Sequence, residues 1–168
     1  MIPVNSSNTQ TAEHFLQVSA KKLRKDFLPR LKKALAVIPE ENVWSRDGEN
    51  TNSVGNIILH MSGNLQQWIV SGVGGAPDGR SREKEFSASG GMTKHELYTL
   101  LVATVSDAGN VLAHVTMEEL LLRRRIQSYT VTGLEAVYHA VEHFSYHLGQ
   151  VIQIAKQTSG KDLRLYPF

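Results

Sequence analysis

HAVEHFSYHLGQ, residues 139–150, is the stretch of this sequence that decides how the rest of the chain is interpreted. Its three histidines recur at four-residue intervals and are followed directly by Gly149 and Gln150. On a helix, residues four apart lie along one face, so neighbouring imidazoles can point to a common position. That is the geometry by which two nitrogen ligands on one helix hold a metal ion. The stretch therefore predicts a helix that carries part of a metal site.

The three histidines do not share one direction, because each helical residue advances about 100° around the axis. With Val137 set at zero, the apolar residues that should face the core fall within about 60° of it. His147 then lies at about 280°, His143 at about 240° and His139 at about 200°, almost opposite the core. His143 and His147 therefore border the predicted core, whereas His139 turns outward and is the weakest ligand candidate of the three.

A fourth histidine, His60, lies on another predicted helix. Beside the apolar arc of that helix runs a polar stripe made of Ser53, Asn56, His60, Asn64 and Gln67. Its amides are placed to orient a ligand imidazole, since a metal-bound histidine usually donates its other N–H to a nearby acceptor. If the two helices are neighbours, His60, His143 and His147 can converge. Three histidine ligands leave one coordination position for water or substrate, as is typical of catalytic zinc.

Each of these residues also has a plain structural interpretation. A histidine at the edge of a core is more often a hydrogen-bonded packing residue than a ligand, and His-x-x-x-His pairs also arise by chance. Gly149 by itself indicates close helix packing, and Asn64 and Gln150 can simply be solvated polar positions. The third histidine on a separate helix is the feature that favours a metal site.

Hydrophobic periodicity predicts four helices and no convincing sheet. The predicted spans are about 12–38, 53–70, 93–115 and 132–157. Pro29 should kink the first helix, and Asn52 or Ser53 should cap the second. Thr-x-x-Glu capping boxes begin the third and fourth helices, and Gly160 ends the fourth. This pattern predicts an all-α fold, a four-helix bundle, in a single domain that spans residues 1–168.

Two connecting segments carry further expectations. A long loop is predicted from Gly72 to about Met92, and loops of this length in compact domains are usually functional or mobile. The loop contains Arg80 and Arg82, either of which is available to meet an anionic group. The β-prone residues 126–131 are expected to form an extended connection without a sheet.

Composition limits the class of function. The 168 residues include no cysteine, so disulfides, cysteine nucleophiles and iron–sulfur clusters are excluded. A formal net charge of +2, without a basic face that carries interleaved aromatics, argues against a nucleic-acid partner. No apolar run approaches the roughly 20 residues of a membrane span. The polar N-terminus lacks a signal-peptide core, so a cytoplasmic protein with no membrane partner is expected.

Three stretches, residues 52–64, 69–75 and 139–150, together resemble the DinB-like (YfiT-type) superfamily of metal-dependent four-helix proteins. The nearest branch is a bacterial family of unknown function, and the likeness covers nearly the whole chain from about Phe15. It implies a bundle in which His60, His143 and His147 are the ligands of a divalent transition metal ion, most often zinc or nickel. It also implies a homodimer.

The resemblance also implies an activity. Characterised members are S-transferases that use bacillithiol, mycothiol or a related low-molecular-weight thiol, including a maleylpyruvate isomerase. A divalent ion would lower the pKa of the bound thiol, whose thiolate attacks an electrophile. Metal-assisted hydrolysis is an alternative, although Glu142 lies about 100° around the helix from His143 and is no convincing base. A non-enzymatic metal-binding structural module is a third possibility, and no catalytic residue is assigned.

Overall fold

The computed structural model describes residues 6–165, which form an all-α fold built on four long helical stretches. The helices are α1 Ser6–Lys21, α2 Leu28–Val37, α3 Val54–Leu65, α4 Arg82–Ser87, α5 Lys94–Leu112, α6 Met117–Leu121 and α7 Gly133–Ser159. Two π-helical segments, Lys22–Phe27 and Gln66–Ser71, continue α1 into α2 and extend α3, and a 3-10 turn covers Glu40–Asn42. The expected all-α class is confirmed. Helix α3 packs against α5 and α7, and α2 packs against α7.

The first long helix accommodates Pro29 by widening the turn before it. Pro29 lies in the first turn of α2, and the N–H of Leu28 donates to the carbonyl oxygen of Leu23, five residues back. Proline has no N–H and crowds the carbonyl of the preceding turn, so a π-helical turn relieves the clash without ending the helix. Leu23 and Phe27 of this turn remain buried in the core.

Helix α3 is enclosed by the rest of the fold, since ten of its twelve residues are buried. Ser53 caps it, in a reciprocal pair with the side chain of Asn56. Of the two expected caps, Ser53 is therefore the one used. Gly55 allows the Trp44 ring to lie directly on the helix, where an added Cβ would come within 2.6 Å of the ring. Polar side chains of α3 must consequently find partners inside the protein.

The segment from Gly72 to Met92 is not the continuous loop that was expected, because it contains α4. Six residues are too few to show helical periodicity in sequence. The helix is held by polar contacts: Arg46 donates through Nη2 to the carbonyl oxygens of Phe86, at 2.5 Å, and Ala88, at 3.3 Å.

The β-prone stretch forms a two-stranded sheet, so the expectation of an extended connection without a sheet is wrong. Strand β1, Arg123–Ile126, pairs antiparallel with β2, Tyr129–Thr132. Gln127 makes the turn in the left-handed region, with a φ of 55°. Two strands of four residues have too little alternation to distinguish a hairpin from extended chain.

The predicted caps of the last two long helices are those that the structure uses, whereas the first helix begins at Ser6 and not near residue 12. Thr93 and Thr132 cap α5 and α7 in capping boxes with Glu96 and Glu135. Gly160 ends α7 in the left-handed conformation, with a φ of 64°. Helix α7 is continuous, so all its histidines belong to one rigid element. No helix among residues 6–165 is long and apolar enough to cross a bilayer.

Candidate metal centre

The ring nitrogens of His60, His143 and His147 meet between α3 and α7. Nε2 of His143 lies 3.0 Å from Nε2 of His60 and 3.2 Å from Nε2 of His147. One ligand atom from each of the three histidines lies within 4.8 Å of the others. Two nitrogens bound to one tetrahedral zinc ion are about 3.3 Å apart, from a Zn–N distance of about 2.05 Å. The geometry therefore suits a shared ion, and the role of the three residues as ligands stays a prediction.

The hydrogen bonds of the Nδ1 atoms indicate the tautomer of two of the rings, and so whether Nε2 presents a lone pair to the cluster. Nδ1 of His60 lies 2.8 Å from Oε2 of Glu85, and Nδ1 of His147 lies 2.7 Å from Oε1 of Gln150. Both oxygens accept hydrogen bonds, so each Nδ1 carries the proton and donates it. Each Nε2 then presents its lone pair to the cluster, which is the tautomer that a metal ion requires. Nδ1 of His143 is buried and has no partner among the described residues.

A buried ion pair stands directly behind His60. Arg80 donates through Nε to Oε1 of Glu85, at 2.7 Å, and through Nη2 to Oε2, at 2.9 Å. Nη2 of Arg80 also approaches Nδ1 of His60 to 3.0 Å. Burial raises the pKa of Glu85, but the hydrogen bonds from Arg80 and His60 outweigh it and hold that pKa below its ordinary value. Glu85 is therefore an anion that both orients His60 and neutralises Arg80.

Two residues of α3 hold Glu85 in place. A Cβ at Gly63 would overlap the carboxylate of Glu85, so the helix carries no side chain where that carboxylate packs. Asn56 donates through Nδ2 to the carbonyl oxygens of Glu85, at 2.8 Å, and Ala88, at 2.7 Å. The amides of α3 were expected to orient His60, and this is not what Asn56 does. Its oxygen is taken by the N–H of Ser53 and its nitrogen anchors α4, which in turn supplies Glu85.

Burial favours the neutral form of His143 and His147. Burial lowers the pKa of His143 to about 3, and repulsion from His147 and His60 acts in the same direction. Burial also lowers the pKa of His147, although the hydrogen bond to Gln150 opposes that effect. Neutral imidazole is the form that binds a metal ion, so few protons compete for the nitrogens of His143 and His147 near neutral pH.

His139 does not point outward as its helical angle indicated. It is half-buried, its ring lies against that of Trp68 with the centroids 4.1 Å apart, and its Nε2 lies 3.5 Å from Nδ2 of Asn64. The angle was measured against a four-helix core, but the π-helical segment that carries Trp68 and strand β2 also pack on α7. His139 is nonetheless outside the three-histidine cluster.

A cavity of about 650 Å³ opens in front of His60 and His143, and we call it the histidine cavity. Its remaining walls are Asn64, Trp68, Arg80, Arg82, Gln127, Tyr129, Val131, Glu135 and His139. Arg80 was expected to be available to an anionic ligand, but its guanidinium is bonded to Glu85 and, at 3.0 Å, to Oε1 of Gln67. Arg82 is exposed, with its guanidinium 5.0 Å from the centre of the Phe86 ring, and remains available for an anion.

Sequence reasoning missed Glu85 and the hairpin wall of the cavity. Glu85 lies in a run of charged residues, and nothing local distinguishes it from Glu83. The one trace is Gly63, three residues after His60 and so on the same face of α3. A glycine inside a helix is about 0.5–1 kcal/mol less favourable than alanine, which suggests that something must approach closely there. Glu142 is exposed, which agrees with the expectation that it points away from His143.

The fold is that of DinB-like proteins of known structure. A DinB-like protein from Bacillus cereus ATCC 10987 has a similar structure, with a TM-score of 0.67 and 16% identity over 90% of this chain and 94% of that chain. The DinB-like protein YjoA from Bacillus subtilis has a TM-score of 0.63 and 17% identity over 95% and 96% of the two chains. At these identities the likeness is one of fold.

The chain belongs to the family described as Protein of unknown function (DUF1572), which it matches over residues 10–166. No curated protein matches the sequence. The expected membership of a family of unknown function is confirmed, and so is the expected likeness to the DinB-like fold.

Proposed function

We propose that this protein binds one divalent transition metal ion, zinc or nickel, through the Nε2 atoms of His60, His143 and His147. The observation that carries the proposal is the convergence of three Nε2 atoms, two of them on rings whose Nδ1 is held by an acceptor. Three protein ligands leave a coordination position open. The histidine cavity reaches the cluster at His60 and His143, so that position is accessible to a small molecule.

We further propose that the protein is a metal-dependent S-transferase that activates a low-molecular-weight thiol for attack on an electrophile. The bound ion would supply Lewis acidity, which lowers the pKa of a thiol at the open position. The chain has no cysteine, so the sulfur nucleophile must come from another molecule. The volume of the histidine cavity lies within the range of about 300–1,000 Å³ that small-molecule sites occupy. We expect the protein to act in the cytoplasm as a homodimer.

Hydrolysis is less well supported, because the carboxylates near the cluster are engaged. Glu85 is bonded to Arg80 and His60. Glu135, on the cavity wall, accepts from the N–H and the hydroxyl of Thr132, at 2.6 and 2.8 Å. A thiol reaction needs no general base from the protein, because the ion would itself lower the pKa of the bound thiol. A structural role is the other candidate, since an ion at the cluster would join α3 to α7 and stabilise the fold.

Metal analysis of protein purified without a histidine tag tests the central proposal. Protein expressed with ample metal should contain one ion per chain by mass spectrometry, and His60→Ala, His143→Ala or His147→Ala should abolish stoichiometric binding. His139→Ala is the matched control on α7 and should retain the ion. Absence of a stoichiometric ion from the wild-type protein would contradict the proposal.

A thiol panel separates the possible activities. If the protein is a transferase, it should turn over a model electrophile only when a thiol is present. This activity should stop with a chelator, return with one particular ion and be absent in His143→Ala. Ester turnover that needs the ion but no thiol would favour hydrolysis instead. A large fall in melting temperature with chelator, without turnover of either kind, would favour the structural role.

A further inference from the structure

A second cavity, of about 850 Å³, lies along the C-terminal half of α7, and we call it the amide groove. It shares no lining residue with the histidine cavity. Its other wall is the chain between Asn42 and Asn52. Side-chain amides dominate its lining: Asn42, Asn50, Asn52, Gln150, Gln153 and Gln157. Asp47 is the one charged residue among the described residues that line it.

Most of these amides are not used by the protein. Apart from Gln150, none of the six side chains makes a hydrogen bond to another described residue. An amide carries both donors and acceptors, as a hydroxyl group does. The amide groove thus presents many neutral hydrogen-bonding groups and no cation, so it is suited to neither an anion nor a strongly apolar ligand.

Gly149 keeps open space along this groove. It lies inside the long helix α7, where glycine is less favourable than alanine. Its sequence position indicated close helix packing, but a Cβ at Gly149 would meet no atom within 4 Å. No packing contact among the described residues therefore requires the glycine. A side chain at this position would instead extend into the amide groove, which Gly149 lines.

We propose that the amide groove binds an uncharged, polyhydroxylated ligand of the sugar or polyol class. The free amides would exchange hydrogen bonds with its hydroxyl groups. The exposed ring of Tyr146, which also lines the groove, would cover an apolar face of the ligand. Gly149 keeps the floor of the groove clear. Binding does not depend on a metal ion, so failure of this proposal would leave the metal proposal untouched.

Gln150 connects the amide groove to the histidine cluster. Its Oε1 accepts from Nδ1 of His147, and its Nε2 lies 3.5 Å from the hydroxyl of Tyr146. A ligand in the groove would therefore bind beside the amide that orients one of the three converging imidazoles. The two cavities are separate in their linings and joined through this one side chain.

Binding is tested by NMR titration of the full chain with glucose, mannose, N-acetylglucosamine and myo-inositol. We expect saturable shifts of the Gly149 backbone amide and of the Gln153 and Asn50 side-chain amides with at least one of them. Gly149→Leu, which fills the groove, should weaken binding at least tenfold. Ser145→Leu is the matched control, an exposed α7 position outside the groove, and should leave binding unchanged.

Two further variants keep the test independent of folding. Gly149→Ala should raise the melting temperature by about 1–4 °C, because the glycine has no packing role. Gln153→Ala should weaken binding about two- to tenfold, the value of one hydrogen bond, without lowering that temperature. The proposal is overturned if no ligand of the panel gives saturable shifts, or if the shifts map to the histidine cavity. Unweakened binding in Gly149→Leu would also overturn it. A change of oligomeric state in Gly149→Leu would show that the groove is a self-association face, and that result overturns the proposal as well.

Discussion

Glu85→Gln should weaken zinc binding by about 10- to 100-fold, although Glu85 is not a ligand. The wild-type carboxylate accepts from Nδ1 of His60 at 2.8 Å with only 8% of the residue exposed. Hydrogen bonds to a charged group contribute about 1.5–3 kcal/mol, against about 0.5–1.5 kcal/mol for neutral pairs. The difference between the midpoints of these ranges is about 1.25 kcal/mol, which is a factor of about eight in affinity. Rotation of the new amide to present its NH₂ to His60 would add to the loss.

The assay is a competition titration of untagged protein with a chromophoric zinc chelator, carried out at neutral pH. Glu83→Gln is the matched control, because it removes the same charge from an exposed residue on the same short helix. The control should bind zinc as the wild type does. Circular dichroism establishes that both variants are folded.

Two results would refute the reasoning about Glu85. One is a zinc affinity of folded Glu85→Gln within twofold of the wild-type value. The other is an equal loss in Glu83→Gln, which would mean that net charge near the cavity matters and the contact with His60 does not. Arg80→Met distinguishes the partners of the carboxylate, since it keeps the bond to His60 and removes the bidentate ion pair.

Three other predictions concern the support of the cluster. Gly63→Ala should destabilise the fold by about 1–3 kcal/mol in urea unfolding, because the added Cβ overlaps the Glu85 carboxylate, and stability equal to the wild type would contradict the packing described. Asn56→Ala should cost about 1–3 kcal/mol by leaving buried carbonyl groups without a donor, and hydrogen exchange should increase first in α4; uniform exchange would argue against an anchoring role. Because the pKa of His143 falls from 6.5 to about 3 on folding, the unfolded chain takes up the proton first as the pH falls. The contribution of neutral His143 to the stability of the metal-free protein is complete above about pH 6.5. It should therefore be lost progressively as the pH falls from 6.5 to 3. His143→Asn should flatten that profile in melting experiments from pH 3 to 8, and a wild-type profile that does not change across this window would refute the assignment.

The long helices and their ends could be predicted because their causes are local. Apolar residues at helical spacing select the buried face of each helix. Capping boxes at Thr93 and Thr132 satisfy backbone N–H groups within four residues of chain. Helix α4 and the β1–β2 hairpin could not be predicted in the same way. Both are short, and contacts from distant residues, such as Arg46 and Asn56, hold α4 in place.

The three converging histidines were predicted from spacing and from the position of His60, but their surroundings were not. His139 was placed by its angle alone, and Trp68 and strand β2 cover the face that the angle left exposed. Glu85 comes from a segment with no periodic signal. The amide that does orient a cluster histidine is Gln150, three residues along the same helix from His147, where local spacing was sufficient to bring them together.

The sequence by itself determined the four long helical stretches, the capping boxes at Thr93 and Thr132 and the helix face on which each histidine lies, because helical geometry relates residues a few positions apart. The packing of α3 against α7 then brought His60 to His143 and His147. Only the tertiary structure decided that Glu85 orients His60, that Arg80 is consumed by that carboxylate, and that Gly63 and Gly149 leave space for different reasons. These facts depend on which distant side chains come into contact. Contact across 25 residues, as between His60 and Glu85, depends on how the elements pack and leaves no periodic mark in the chain.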